Sequence, residues 1–383
     1  MNQILIIAEK PSVAKTIAQI LGVKTSKDGY IEGNGYIVTW CVGHLLELAG
    51  AEIYDEKFKK WKQEDLPILP SKFQYVGKKE TNKQLKIVTS LIKDKNITEI
   101  INATDSGREG ELIFRLVYNH SKSSKPVKRL WISSLEKESI VNGLKSMKDK
   151  SHYDNLYNSA VARQQADWIV GINATRLFSV LYGSVLNIGR VQTPTLNMTV
   201  ERHNNIQNFK KEPFYNVSIA CTDSKNNEFT ATSERFESEE EAKNLLNIIK
   251  QTTKVTVKNV ESKEKSSKPP ELYDLTTLQR ESNRLFGFTA KQTLDYAQSL
   301  YEKKILTYPR TDSKYITEDM SESTLELANK LIHTLPFTTN INDSIDITHV
   351  SNVVNNRKVS DHHAIIPTQT MLSFDVSTLP QSE

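Results

Sequence analysis

Cysteine is nearly absent from the 383 residues, which contain only Cys41 and Cys221. Two residues so far apart form neither a zinc-ligand spacing nor a disulfide framework, and their use fits a reducing cytoplasm. Long apolar runs are missing too. None approaches the ~20 residues needed to span a bilayer, so no membrane partner is expected. Met1-Asn2-Gln3 carries no basic stretch, and Glu9 and Lys10 end the following run Ile4-Leu5-Ile6-Ile7 too early for a secretory signal. No Walker A glycine loop is present, which argues against a nucleotide cofactor, and no internal repeat of about 20–50 residues marks a solenoid or propeller. Charge is close to balanced: a net +4 permits a polyanionic partner without identifying one.

What is present is the composition of a soluble globular chain, 38% hydrophobic and 25% charged. Its length predicts about two to four domains. Gln3 to Ala8 is a near-continuous apolar run, the pattern of a parallel strand buried on both faces. Pro11 and Ser12 then open a helix with Val13, Ile17 and Ile20/Leu21 at helical spacing, closed by Gly22. Glu9 and Lys10 therefore stand at the carboxyl end of a strand before a helix start, the edge where open α/β sheets collect ligands. Strands are also expected at Tyr36 to Val42, followed by Gly43-His44-Leu45, at Ile97 to Ala103 and at Val127 to Ile132, with a helix at 80–93. Ser133 with Glu136 has capping-box spacing for a further helix. Residues 1–150 thus alternate strand and helix, the signature of an α/β sheet domain.

Residues 151–212 read as helical. Ala162, Gln165/Ala166, Ile169 and Ile172/Asn173 form one stripe, with Arg163, Asp167 and Arg176 off it. Between Pro213 and Val260 the period turns strand-like at Tyr215, Val217 and Ile219 and again at Val255, Val257 and Val260. Between these lies a helix over Glu239 to Lys250 capped by Ser238. Glu261 to Pro270 is a charged, Ser-rich linker that ends in two prolines. Residues 271–383 form a helical domain, with capping boxes expected at Thr276–Gln279 and Thr289–Gln292. Ala290, Leu294, Ala297 and Tyr301 share one face of the second helix.

Four clusters carry polar chemistry. Thr104-Asp105-Ser106-Gly107-Arg108-Glu109-Gly110-Glu111 crosses a strand-to-helix turn. Asp105 and Glu109 there suit a hard cation such as Mg²⁺, or else the acids merely favour the helix dipole. In Leu306-Thr307-Tyr308-Pro309-Arg310-Thr311-Asp312, Pro309 biases Tyr308 toward an extended conformation and Arg310 offers a planar fork that matches a phosphodiester. That pairing suits a tyrosine nucleophile, or an exposed tyrosine near a surface arginine. Asn187-Ile188-Gly189-Arg190-Val191-Gln192 is a polar turn able to donate to a phosphate or a base. Ser360-Asp361-His362-His363-Ala364-Ile365-Ile366-Pro367-Thr368 adds paired histidines. Trp61, in a Lys-rich stretch, suits nucleic acid if exposed and a core if buried.

Taken in this order, the Glu9-Lys10, Asp105-x-x-x-Glu109-Gly110-Glu111, Gly189-Arg190-Val191-Gln192, Tyr308-Pro309-Arg310-Thr311-Asp312 and His362-His363-Ala364-Ile365-Ile366-Pro367-Thr368 segments resemble the type IA DNA topoisomerases, most closely the bacterial topoisomerase III branch. The likeness runs from residue 1 to about residue 370. It implies a multidomain α/β plus α and β fold: an N-terminal Toprim domain, then the helical and strand-rich domains of an arch. It further implies an ATP-independent isomerase, acting as a cytoplasmic monomer on single-stranded and negatively supercoiled DNA through a 5′-phosphotyrosyl bond. On that likeness Tyr308 is the nucleophile, Arg310 holds the scissile phosphate, and Lys10, Glu9 and His362 share the catalysis. Glu9, Asp105 and Glu109 surround Mg²⁺. Asn187 to Gln192, Trp61, Trp168, Arg176 and Arg310 contact a single strand.

Two departures stand out. Gly107 replaces the middle acid of the family's Asp-x-Asp-x-Glu, and the chain stops at Glu383, before the return through the arch. The expectation is either a fragment or an arch left open. The competing readings are a catalytically impaired single-strand-binding remnant and a Toprim-bearing primase or nuclease. The second of these needs no Tyr308-Pro309-Arg310 segment.

Overall fold

The computed structural model describes residues 3–132, 135, 137–334, 345–359 and 362–381. They form two compact units, one made of Met1–Gly189 with Pro270–Glu383, the other of Arg190–Pro269. Ser133, Glu136, Ser360 and Asp361, in the expected capping box and the histidine segment, lie outside the described residues.

The first unit is organised by β1 (Gln3–Ala8), whose apolar run is buried as its composition demands. Leu5 and Ile7 point into one hydrophobic cluster, Ile6 and Ala8 into another on the opposite face. Each fully buried Ile or Leu contributes roughly 1.5–3 kcal/mol, so the strand is anchored from both sides. From its end α1 (Pro11–Ile20) departs with Pro11 in the first turn, where a missing N–H costs nothing. Lys10 stands at the cap position without capping the helix, because an ammonium has no acceptor for the helix N–H groups; it reaches Asp105 instead. The strands β2 (Thr25–Lys27), β3 (Tyr30–Gly33) and β4 (Tyr36–Trp40) follow as antiparallel neighbours, and β4 returns beside β1 in parallel. After the small pair β5 (Leu46–Leu48) and β6 (Tyr75–Gly77), helix α2 (Asn82–Lys93) leads to β7 (Ile97–Ala103). This strand lies parallel on the other side of β1. Helix α3 (Arg108–His120), β8 (Val127–Arg129), α4 (Lys137–Lys145) and β9 (Lys148–Asp149) complete a seven-stranded sheet of order β2-β3-β4-β1-β7-β8-β9.

The chain leaves β1 toward β4 on one side and toward β7 on the other. The crevice at their carboxyl ends is thus a topological switch point. Register fixes what meets there: Ala8 pairs with Ala103, so Glu9 and Lys10 emerge beside Thr104 and Asp105. The turn that follows is held rigidly. A Cβ on Gly110 would lie 2.2 Å from the Asp105 carbonyl, so only glycine fits. The fully buried Arg129 guanidinium donates to the carbonyls of Asn102, Thr104, Leu130 and Asp105 and pairs with buried Glu111 at 3.2 Å. Glu111 is tied in turn to Arg115 at 2.7 Å and accepts from Asn102 at 2.9 Å.

Helix α5 (Asp154–Tyr182) packs against α3, and the expected stripe takes only a partial share in its contacts. Ala162 and Ala166 are exposed, whereas Tyr157, Ala160 and Val161 join the core. The contact face carries polar anchors that hydrophobic periodicity cannot register. Gln164 accepts from the Tyr75 hydroxyl, Asn173 exchanges two hydrogen bonds with the Ile68 backbone, and Arg176 is buried against the Phe58 carbonyl.

The second unit holds α6 (Gln192–Gln207), the hairpin β10 (Ser218–Thr222) and β11 (Glu228–Thr232), and α7 (Glu239–Lys250) with Ser238 as N-cap. The strand expected around Val255, Val257 and Val260 is not formed. These side chains are 53%, 64% and 81% exposed, and no described strand lies beside them to take up their backbone groups.

Returning to the first unit, α8 (Leu275–Phe286) is capped by Asp274 rather than Thr276. The aspartate is the stronger N-cap and starts the helix earlier, accepting from Thr277 N at 2.6 Å. Helix α9 (Ala290–Glu302) opens with the expected Thr289–Gln292 box, and α10 (Ser321–Thr334) and α11 (Ile347–Ser351) follow. Both cysteines are free, and among the described residues no helix is long and apolar enough to cross a membrane.

Arg129→Met removes the donors of four buried carbonyls and one partner of a buried carboxylate. It is expected to lower unfolding stability by about 3–5 kcal/mol. Lys128→Met, on the partly exposed neighbour, should change it by under about 1 kcal/mol. Urea unfolding of the two variants measures the difference, and equal losses would show that the buried network does not hold the turn.

Candidate active site

The segment bearing Tyr308 follows α9 and is clasped by residues 362–368 instead of joining a sheet. Leu306 bridges to Pro367, Thr307 N donates to Ile366 O at 3.0 Å, and Thr307 Oγ1 donates to Ala364 O at 3.2 Å while accepting from Ile366 N at 2.9 Å. Thr311 Oγ1 donates to His362 O at 3.1 Å. These bonds place the Tyr308 and His362 rings 4.5 Å apart at 46°, with Tyr301 of α9 edge-on at 5.3 Å.

The end of β1 meets this segment through one ammonium. Lys10 Nζ donates to Asp105 Oδ2 at 2.9 Å and to the Tyr308 hydroxyl at 3.3 Å. It stands 3.8 Å from Glu9 Oε1 and 4.7 Å from the Tyr308 ring centroid. Burial works against its charge, but Asp105, Tyr308 and Glu9 outweigh that cost and hold Lys10 well above the ordinary lysine range. Glu9 is pushed up to about 7, first by burial and then by Asp105, with Lys10 opposing. Burial raises the Tyr308 phenol above its ordinary value against the pull of Lys10, so the hydroxyl stays protonated at neutral pH. His362 is pushed down to about 4 by burial, which leaves its ring neutral. Its buried Nδ1 has no hydrogen-bond partner among the described residues. A cavity of about 600 Å³ adjoins the cluster, lined by Val13, Ile20, Asp105, Tyr301, Leu306 and Tyr308 among others.

The structure therefore gathers Glu9, Lys10, Asp105, Tyr308 and His362. Glu109 stands apart, its Oε1 2.6 Å from His44 Nε2. Among the described residues no group of three or more His, Cys, Asp or Glu is close enough to hold a metal ion. The Glu9–Asp105 pair still fits a hard cation: two carboxylates, one of them desolvated and made weakly acidic by the other, gain from added positive charge. Arg310 is exposed and makes no hydrogen bond or ion pair with the described residues.

The residues expected on a single strand have mixed surroundings. Trp168 is engaged internally, donating its indole N–H to Ala49 O and meeting Tyr54 and Phe73 edge-to-face. Arg176 is buried beneath Trp61, which is itself 41% exposed and whose ring lies 5.4 Å from the guanidinium. Asn187 is exposed, and Ile188 is tied to Thr175. Asn187 to Gly189 belong to the first unit, Arg190 to Gln192 to the second. Tyr301, His44 and Arg129 were not singled out from sequence. For Tyr301 a signal existed, its place on the apolar face of the helix leading to Tyr308.

Comparison with known proteins shows the family. Residues 4–135 match the Toprim domain family and residues 151–381 the DNA topoisomerase family. DNA topoisomerase 3 of Bacillus cereus (strain ATCC 10987 / NRS 248) is 43% identical over 396 residues, covering 99% of this chain and 52% of that protein. DNA topoisomerase 3 of Staphylococcus haemolyticus is 45% identical over 369 residues, covering 95% and 51%. Full-length topoisomerase I from Thermotoga maritima superposes with a TM-score of 0.62 at 25% identity, over 95% of this chain and 55% of that one. The chain spans about half the length of the curated relatives it matches. With a Toprim sheet whose switch point faces a clasped tyrosine, and family matches over most of its length, the chain belongs to the type IA DNA topoisomerases.

Proposed function

We propose that this chain performs the strand-cleaving and resealing chemistry of an ATP-independent topoisomerase on single-stranded or negatively supercoiled DNA. The observation that carries this reading is the convergence of Lys10 on the Tyr308 hydroxyl and Asp105. Tyr308 attacks a phosphodiester of one strand. The bond from its phenolic oxygen to phosphorus forms as the bond to the 3′ oxygen breaks, leaving a 5′-phosphotyrosyl ester and a free 3′-hydroxyl. Overall the phenolic proton ends on the 3′ oxygen. Glu9, half protonated near neutral pH, is the group suited to deliver it. Lys10 stabilises negative charge on the attacking oxygen and on the phosphate, and Arg310, free of protein partners among the described residues, closes on the phosphate from outside. Neutral His362 offers Nδ1 to the same group. The ester keeps the phosphodiester's energy, so reversal reseals the strand without a nucleotide.

The Toprim family supports a bound Mg²⁺, and here Glu9 and Asp105 would hold it. When bound there, it would supply positive charge to the phosphate and the leaving oxygen. Trp61, Arg190 and Gln192 are the residues suited to contact the strand beyond the site. The reading takes the protein as a cytoplasmic monomer.

Tyr308→Phe should reduce covalent capture of end-labelled single-stranded DNA by at least about a thousandfold, leaving strand binding within about twofold. Capture retained by the variant would remove Tyr308 from the chemistry. A Tyr308-dependent adduct accompanied by plasmid relaxation with Mg²⁺ identifies a working topoisomerase; an adduct without relaxation confines the chain to cleavage and resealing. A second prediction concerns pH. The carboxyl of Glu9 titrates at about 7, and a general acid acts only while protonated, so single-turnover cleavage by metal-free protein should fall as pH rises through 7. In Glu9→Gln that step should vanish together with most of the rate. A wild-type pH profile in the variant would assign the proton to another group.

A further inference from the structure

The inference concerns His44, and it rests on the reading of Glu9, Asp105 and Glu109 as acids of a cation site. Two of the three already meet at the switch point, where Lys10 offsets part of their charge. Glu109 opens α3 four residues beyond Asp105, yet its carboxylate is turned to His44 Nε2 at 2.6 Å. An ionised carboxylate can only accept, so Nε2–H is the donor, and this bond more than any other influence holds Glu109 below the ordinary carboxylate range.

Of the two partners, His44 is the fixed one. Gly43 N donates to the Glu9 carbonyl at 3.2 Å and Cys41 N to Ala8 O at 3.0 Å, so the turn is pinned to the end of β1. Leu45, the next residue, is buried in the core. Val42 and Gly43 both have positive φ, at +55° and +75°. A β-branched residue enters that region only where its surroundings force it, so the path that brings His44 to this place is imposed by the structure. The Glu109 side chain is 69% exposed against 21% for His44, and His44 is its only hydrogen-bond partner among the described residues.

We infer that His44 is a positioning residue that withholds the Glu109 carboxylate from the Glu9–Asp105 pair and so sets how tightly the site takes a divalent cation. A cation that recruits Glu109 must first displace this hydrogen bond, and its apparent affinity is reduced by the fraction of Glu109 held aside. With the donor removed, Glu109 is available at once.

The test uses Mn²⁺ as the probe, with free Mn²⁺ followed by electron paramagnetic resonance during titration of the whole metal-free chain. His44→Ala is expected to bind about fivefold more tightly than wild type. His44→Gln, which keeps a donor, should stay within about twofold of wild type. The gain should disappear in the double variant His44→Ala/Glu109→Gln. Unchanged or weaker binding in His44→Ala, or a gain that persists without Glu109, overturns the inference. Wild-type binding that is lost in Glu9→Gln and Asp105→Asn but indifferent to His44 overturns this inference alone. Wild-type binding indifferent to Glu9 and Asp105 overturns the cation-site reading as well.

Discussion

A single ammonium holds the site together. Lys10 Nζ touches the carboxylate at the end of β7 and the phenol of a residue 298 positions away. A neutral side chain could not do this. The carboxyl end of the sheet presents two acids in a half-buried crevice, and a phenol brought there alone would meet only negative charge and lost solvation. One partly buried cation makes the approach of Tyr308 favourable, and it is the group an incoming phosphate would also need. Lys10 reaches this place because β1 is locked by burial on both faces and α1 starts immediately after it, so the backbone of residue 10 has no freedom to wander.

Around that contact the structure divides its rigidity unevenly. The Asp105 turn is held by Arg129, Glu111, Asn102 and a glycine that no other residue can replace. The tyrosine segment is held by threonine side chains and short backbone bridges to residues 362–368. The acidic turn is therefore a fixed reference, and alignment of Tyr308 depends on a smaller set of polar links.

The sequence was most informative where burial is periodic or where a terminus carries its own chemistry. The Ile-rich run of β1, Pro11 ahead of α1, Ser238 ahead of α7 and the Thr289–Gln292 box all appear where the pattern placed them. It misled where contact faces are polar. The contacts of α5 rely on Gln164 and Arg176, which lie off the apolar stripe, as well as on Asn173 within it, and the alternation at Val255 to Val260 found no partner strand among the described residues. It was silent on hydrogen bonds that join distant segments. His44 and Glu109 are 65 positions apart, and nothing in the composition around either residue signals the other. Arg129 looks like one more surface cation in a Lys-rich stretch until the sheet closes over it.

The cavity beside Tyr308 has a mechanical consequence. Its volume of about 600 Å³ is room for roughly twenty water molecules at liquid density. Over that span the tyrosine segment does not rest on a dry, interlocked core against α1 and α4. Adhesion there comes from a few polar points, with Lys10 foremost, and resistance to separation grows with the number of such points rather than with contact area. A joint of this kind takes its register from where those points stand, so moving one of them shifts the tyrosine more than trimming the surface around it would.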